Sequence, residues 1–449
     1  MEAQWWQAGA VVLAYAALCW ACLARRTVPP EQPAGATLLV AFASQGGEAE
    51  AMARRHADLL GRRQPVALLA LNQVSAEALA AAHTALFIAS TYGEGEPPDN
   101  ALRFSRRWLE SRGRGELGAL RYAVLALGDS NYRRFCAFGE RLDAALAARG
   151  ARRLFDLVRV DRMDDAALAQ WQRGLARSGL LEDKQQLPLS QAPLREHPVL
   201  RCRLLERKLL NAGSPGGPVY HLRLSPPQNA AWQAGDIALI DIPSAGAARP
   251  AVREYSIASI PSQGGLDLLV RQVRKPDGSL GLGSGWLTAQ LQLGADIVLR
   301  VRDNPAFHAP RTDAPMILVG NGTGMAGLRA HLQARAQAGH VGNWLVFGER
   351  SRSHDRLFDT ELMAWQRSGQ LQRLDRVFSR EGEKLCYVQD FLTAHTADLE
   401  RWLQQGASIY VCGSQQGMAP AVHRVLLDLL GERGLEDLTL DGRYRRDVY

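Results

Sequence analysis

Twice along this chain short apolar runs alternate with helical segments, and that rhythm restricts the fold more than any other feature. Over residues 37–180 the runs "TLLVAFA", "PVALLAL", "TALFIAS", "YAVLAL" and "LFDLVRV" are separated by Ala- and Arg-rich amphipathic segments. Such runs, joined by crossover helices, predict a doubly wound parallel sheet whose ligand sits beyond the C-terminal strand ends. The rhythm returns over 313–449. There "PMILVGNGTGMAGLRAHLQAR" reads as a buried strand, a Gly-rich turn and a helix, followed by "GNWLVFGE", "QRLDRVFS" and "SIYVCGS". This second parallel sheet suits a dinucleotide. Between the two, over 199–312, "YHLRLS", "DIALIDIP", "REYSIAS" and "LDLLVRQV" follow one another closely with turn residues between them, which predicts a small antiparallel barrel. Residues 181–198 hold Pro, Gln and charge without a periodic apolar face and read as a linker. The fold class is α/β plus a β-barrel.

Ahead of these domains, residues 5–24 form an uncharged apolar run followed at once by Arg25 and Arg26. As a helix it spans roughly 30 Å, the hydrocarbon thickness of a bilayer. Trp5, Trp6 and Trp20 sit where interfacial aromatics belong, and the Arg pair falls on one side only. Residues 1–27 are therefore expected to be a single transmembrane anchor, with 28–36 a tether and the following domains on the cytoplasmic side of a bacterial-type inner membrane. A cleavable signal peptide is the rival, but the basic leading region and the small-residue cleavage site are missing. Lys plus Arg number 53 against 46 Asp plus Glu, yet the Arg are scattered without an aromatic-interleaved basic stripe, which argues against a nucleic-acid partner. Six Cys at unrelated spacings give neither a disulfide framework nor a four-ligand metal pattern.

Three loops leave the strand ends of the first sheet. "SQGGEAE" (44–50) is a Gly-containing turn opening a helix, where backbone N–H groups and the helix dipole can cradle a phosphate. "STYGEGEPPDN" (90–100) and "LGDSNYRRFCAFG" (127–139) each present a Tyr among Gly and acidic residues. Tyr92 and Tyr132 can sandwich a planar ring. The alternative is that both are ordinary loop aromatics packed on the surface.

These three loops resemble the FMN domain of diflavin reductases, most of all the bacterial sulfite reductase flavoprotein subunit and cytochrome P450 reductase. The resemblance implies FMN phosphate in the loop of Ser44, Gln45, Gly46, Gly47, Glu48 and Ala49. It implies isoalloxazine between Tyr92 and Tyr132, bordered by Ser90, Thr91, Gly93, Gly95, Leu127, Gly128, Asp129, Phe135 and Cys136. The family's phosphate loop usually has Thr where this chain has Gly46, a missing hydroxyl worth about 0.5–1.5 kcal/mol.

Over residues 199–449 the ordered set "REYS", "GLGSGWL", "GNGTGMAG", "SREGEKLCYVQ", "VCGSQQGMA" and "RYRRDVY" resembles the ferredoxin-NADP reductase module of the same family. The resemblance implies that Arg253, Tyr255 and Ser256 hold FAD. Its pyrophosphate would meet the turn 281–287, with Gly283 and Ser284, and the NADPH pyrophosphate would meet Gly322, Thr323 and Gly324. A 2′-phosphate wants an Arg fork and hydroxyl donors, and Ser379, Arg380, Tyr387 and Gln389 stand at the family spacing, which favours NADPH. Lys384 is displaced by one residue. Ser256, Cys412 and Asp447 are implied at the nicotinamide and flavin reaction centre, with the terminal Tyr449 as a lid over the FAD ring. Asn321 and Gly327 replace prolines usual beside the nucleotide turn, which is expected to loosen it, and Ser414 replaces an acidic residue. The family's helical connecting insertion is missing before "REYS".

The implied activity is electron transfer from NADPH through FAD and FMN to a one-electron acceptor. Three readings follow: a membrane-tethered reductase of a haem protein, a ferric-siderophore or ferric-chelate reductase, and a non-catalytic flavin-binding assembly subunit.

Overall fold

The computed structural model describes residues 38–44, 47–92, 95–110, 117–130, 134–181, 198–243, 250–310, 312–382 and 384–449. They divide into two compact units, parted in sequence between 181 and 198. The expected anchor at 1–27, the tether at 28–36 and all but the ends of the linker at 181–198 lie outside the described residues. Among the described residues no helix is long and apolar enough to cross a membrane.

The first unit is a parallel sheet. Its strands are β1 (Leu38–Ala43), β2 (Val66–Ala70), β3 (Thr84–Ser90), β4 (Arg121–Gly128), β5 (Arg152–Arg153) and β6 (Val158–Asp161), in the order β2-β1-β3-β4-β5, with β6 also on β4. All six residues of β1 are buried, as a strand covered by helices on both faces requires. Of the last expected strand, "LFDLVRV" (154–160), only the last three residues are strand, in β6, because the chain leaves the sheet between Arg153 and Val158. Helices α1 (Glu48–Leu60), α2 (Ala137–Ala148) and α3 (Asp165–Arg177) cover the sheet. Asp164 caps α3 by accepting from the Ala167 N–H at 2.8 Å, and the helix buries Leu168, Trp171 and Leu175 at helical spacing. The indole of Trp171 donates to His56 Nε2 of α1 at 2.8 Å. Burial holds the His56 imidazolium pKa down to about 4, so the ring is a neutral acceptor at physiological pH.

The second unit joins a barrel to a second parallel sheet. The barrel strands are β7 (Val199–Leu209), β8 (Val219–Ser225), β9 (Ile237–Ile242), β10 (Ala251–Ser256), β11 (Leu266–Arg271) and β12 (Asp296–Arg302), in the order β10-β9-β12-β7-β8-β11. An Ile257–Leu268 bridge draws the two ends together. Sequence patterning missed β7 and β12. Their interspersed Arg residues mask an alternation that is plain in β7, where Leu200, Cys202 and Leu204 face inward. β9 and β10 pair directly, with Ile242 opposite Ala251, and the joining residues 243–250 are too few for a long helical insertion.

The parallel sheet contains β13 (Met316–Asn321), β14 (Asn343–Glu349), β15 (Arg373–Phe378), β16 (Ser408–Gly413) and β17 (Tyr444–Val448), in the order β15-β14-β13-β16-β17. β17 is the chain's tail, added in parallel at the sheet edge. Helices α4 (Met325–Gln337), α5 (Asp359–Arg367) and α6 (Met418–Leu440) accompany it, and α6 is broken at Gly431, whose φ of 66° no helix accommodates.

A buried ionic cluster fastens barrel to sheet. Asp267 of β11 is fully buried and meets Arg329 of α4 at 3.0 Å, His221 of β8 at 3.3 Å and Arg223 at 3.6 Å. Arg329 reaches on to Glu361 of α5 at 2.6 Å and to the Ala258 carbonyl at 2.7 Å. Burial alone would raise the Asp267 carboxyl, but His221 and Arg329 outweigh it and hold it below the ordinary carboxylate value. The cluster's stabilisation is therefore full above the unfolded-state pKa of about 3.9 and is lost as pH falls through the lower folded value. Asp267→Ala is expected to cost about 3 kcal/mol, since Arg329 keeps Glu361, and to flatten the acid limb of stability measured by denaturant melts across pH.

Candidate functional site

The C-terminal strand ends of each parallel sheet carry the loops singled out by sequence. In the first unit, Gly47 adopts φ +87° just before α1, and a Cβ there would meet nothing within 4 Å. Ser44 donates its N–H to Asn100 Oδ1 at 2.9 Å, while its hydroxyl is buried with no partner among the described residues. An unspent hydroxyl at a helix-opening turn fits a phosphate. Ala49 is buried in α1. Gln45, Gly46, Gly93 and Tyr132 lie outside the described residues.

Thr91 donates its N–H to the Leu127 carbonyl at 3.0 Å and its Oγ1 accepts from the Phe138 N–H at 3.3 Å, so the two Tyr-bearing loops are held side by side. Tyr92 and Glu96 form a bridge that closes the first loop, with Gly95 at φ +108°. Ser90 ends β3 and is only partly buried. In the second loop a Cβ on Gly128 would lie 2.9 Å from the Phe135 ring and 3.0 Å from Cys136 Sγ. Asp129 stands 3.9 Å from Arg162. Cys136 and Leu127 are buried; the Cys136 thiol turns to the Ala126 carbonyl at 3.3 Å, and burial pushes it up to about 12. Their side chains belong to the packing beneath the loop.

In the second unit β10 delivers Arg253, Tyr255 and Ser256 beside the turn after β11. Gly283 is required there, because a Cβ would lie 2.8 Å from Arg253 Cγ and 3.1 Å from the Tyr255 hydroxyl. Ser284 Oγ accepts from the Val273 N–H at 3.1 Å, which leaves its own proton to give.

Ser256 meets the tail. Its hydroxyl donates to Asp447 Oδ2 at 2.7 Å, and Cys412 Sγ lies 3.7 Å from the same oxygen. The strand register dictates this, since Cys412 of β16 lies opposite Asp447 of β17. Burial raises the Asp447 carboxyl, against the Ser256, Arg302 and Cys412 contacts that lower it, and burial drives the Cys412 thiol well above its ordinary value. Cys412 is therefore a neutral thiol donor.

Beside this centre lies a pocket of about 570 Å³, lined by Gly322, Thr323, Ser379, Tyr387, Gln389 and Tyr449 among others. Arg380 is exposed outside the lining, and Gly324 is spent on packing, since a Cβ would lie 2.0 Å from the Cys412 carbonyl oxygen. Tyr449 is 53% exposed, its hydroxyl 3.4 Å from Thr323 Oγ1, and its backbone is pinned by Gly413 and Gln415.

One departure from the family pattern, Asn321, gains a contact of its own. Asn321 Oδ1 accepts the Ser414 N–H at 2.9 Å, stitching the turn after β13 to the turn after β16, a bond no proline provides. The expected loosening at Asn321 is thus offset. Gly327 serves close approach, because a Cβ would lie 3.2 Å from Cys412 Sγ. Sequence reasoning missed Arg271 and Glu349, which line the same pocket. Arg271 ends a barrel strand, so nothing local signals that it faces a nucleotide turn.

A flavin-type loop set on one parallel sheet, and a barrel with a dinucleotide sheet carrying a Ser, Cys and Asp centre, define a flavin- and NAD(P)-linked oxidoreductase. The flavodoxin family matches residues 40–171 and the oxidoreductase NAD-binding domain family matches residues 318–424. The sulfite reductase [NADPH] flavoprotein alpha-component of Thiocapsa roseopersicina is 30% identical over 465 residues, covering 91% of this chain and 87% of the relative. Those of Vibrio cholerae and Bacillus subtilis are 28% and 26% identical, covering 93% and 94% of this chain and 88% and 91% of the relatives. Their alignments run over 547 and 555 residues against a chain of 449, so they carry segments absent here. The chain belongs to the NADPH-dependent diflavin reductase family, whose cofactors are FMN, FAD and NADPH.

Asn321→Ala is expected to strip the Ser414 N–H of its partner, costing about 1–2 kcal/mol in denaturant melts. NADP⁺ affinity by calorimetry should fall with it, because two turns bordering the pocket then move independently.

Proposed function

We propose that this chain is a compact diflavin reductase that takes electrons from NADPH and delivers them singly to a haem protein, held at the cytoplasmic face of an inner membrane by residues 1–27. The observation that carries the reading is the convergence of Ser256, Cys412 and Asp447 from three strands beside the Gly322–Gly324 turn. The chemistry the two flavins supply when bound is hydride acceptance and single-electron release.

The chain's own groups do the rest. Asp447 holds the Ser256 hydroxyl and the Cys412 thiol in fixed orientation, and its carboxylate offers negative charge where a nicotinamide becomes positive. Arg253, Tyr255, Gly283 and Ser284 would hold FAD, and Thr323, Ser379, Tyr387 and Gln389 would hold NADPH, with Arg380 reaching in from the rim. Gly322 and Gly324 let the backbone approach. Ser44, Gly47, Glu48 and Ala49 would hold the FMN phosphate, with Ser90, Thr91, Tyr92, Gly95, Gly128, Asp129 and Phe135 around its ring; Gln45, Gly46, Gly93 and Tyr132 complete the assignment from the sequence. Tyr449 would cover the flavin until nicotinamide displaces it. Relatives named as components of a sulfite reductase support transfer to a partner protein. The anchor expected at residues 1–27 also suits reduction of a ferric chelate at the membrane, and relative rates with the two acceptor types separate these readings.

The flavin-loaded full chain is expected to reduce cytochrome c with NADPH, and absence of that reduction overturns the reading, leaving the non-catalytic alternative. Asp447→Asn should slow hydride transfer in stopped-flow by about tenfold or more, the loss of about 1.4 kcal/mol. Tyr449→Ala should instead relax the preference for NADPH over NADH. The full chain should partition with membranes until detergent is added, and a chain beginning after residue 30 should remain in the supernatant. Equal partitioning of the two removes the anchor.

A further inference from the structure

The nucleotide pocket contains a carboxylate where a diphosphate is to bind. Glu349, the last residue of β14, points from the C-terminal edge of the sheet, its side chain only 3% exposed. Left alone it would repel a dinucleotide. It is paired with Arg271, which leaves the end of β11 in the barrel and places Nη2 3.0 Å from Glu349 Oε1. The Arg271 Nη1 donates to the Gly217 carbonyl at 3.1 Å, so the guanidinium is anchored from the barrel side. Most telling is its position over the Gly-rich turn. A Cβ on Gly322, which has φ +58°, would lie 3.2 Å from Arg271 Nη2 and 3.9 Å from Glu349 Oε1.

We propose that Arg271 and Glu349 form a latch over the nucleotide turn, which the diphosphate of the dinucleotide opens by taking the guanidinium, leaving Glu349 to take up a proton from solvent. This rests on reading the pocket as the NADPH site. An Arg fork matches a diphosphate in charge and geometry at least as well as a single carboxylate oxygen, so exchange of partners is chemically available. The carboxylate left behind, buried and without its cation, is stabilised by protonation.

The surroundings agree. Burial raises the Glu349 carboxyl and Asp355 pushes the same way, while Arg271 and Arg350 pull it back, and the balance already lies above the ordinary carboxylate value. Asp355 is itself engaged by Asn211, Ser214 and the Ser351 N–H. From β13 the neighbours are Asn321 and Gly322, and from the end of β15 Ser379, all neutral; Cys386 and Tyr387 line the far wall. Removing Arg271 from this set leaves Arg350 as the remaining cation among the groups that act on Glu349. Binding that consumes a proton weakens as pH rises, by at most about tenfold per pH unit for one proton.

The test is calorimetry of the full chain with NADP⁺ and with adenosine 2′-monophosphate, which has the 2′-phosphate and no phosphate at the diphosphate position, between about pH 5.5 and 8.5 and in buffers of different ionisation enthalpy. Wild-type protein should take up more protons with NADP⁺ than with the monophosphate, a comparison that needs no variant. Glu349→Gln should remove that excess and tighten NADP⁺ binding at the alkaline end by about tenfold. Arg271→Met should weaken NADP⁺ by about tenfold or more and leave the monophosphate within about twofold. Equal proton uptake for both ligands, or an unchanged pH slope in Glu349→Gln, overturns the latch while leaving the NADPH site standing. Failure of the wild-type chain to bind either ligand overturns both.

Discussion

Cys412 and Asp447 meet because the chain's last strand adds in parallel to β16 with those two residues opposite one another. The pairing is unusual in its economy. A five-residue edge strand places a carboxylate where it accepts the Ser256 hydroxyl proton and turns Tyr449 toward the Gly322–Gly324 turn. Slipping the register by one residue would send Asp447 to the opposite face, as it does for any strand. Both the Ser256 contact and the Cys412 contact would then vanish together.

That register is defended by close backbone approaches. The Gly324 and Gly413 positions cannot carry a Cβ, which would fall 2.0 Å from the Cys412 carbonyl oxygen and 2.4 Å from Asn321 Oδ1 respectively. Packing of this closeness leaves one arrangement of the turns after β13 and β16. Asn321 then adds a hydrogen bond across the gap to Ser414. The Asn321 side chain thus supplies, through a backbone N–H, a constraint in place of the one a proline would impose.

The barrel and the second parallel sheet both contribute to the Ser256, Cys412 and Asp447 cluster, so their mutual angle matters as much as either fold. The Asp267, Arg329 and Glu361 cluster spans β11, α4 and α5, and Arg271 crosses to Glu349 from the same barrel strand. β11 therefore both closes the barrel and carries the charges that face the sheet. The direct β9 to β10 pairing completes the compact form.

Much of this was legible beforehand. The apolar runs of both parallel sheets, the Gly-rich turns and the ordered motifs of the second half specify strands, turns and the residues at their ends, because side-chain period and glycine geometry are local properties. The apolar leader, Gln45, Gly46, Gly93 and Tyr132 remain sequence-level assignments. β7 and β12 escaped notice because basic residues occupy the outward positions of barrel strands, and the split of β5 and β6 follows from where the chain departs the sheet. Cys136 and Leu127 look like loop residues in a string and are core residues in space. The sequence by itself determined the fold class, the family and the chemistry on offer. Only the tertiary structure decided that "RYRRDVY" is a strand, that Asn321 and Ser414 are partners, and that Arg271 shares a pocket with Glu349. Each of these rests on contacts between residues far apart in the chain, which no local pattern encodes.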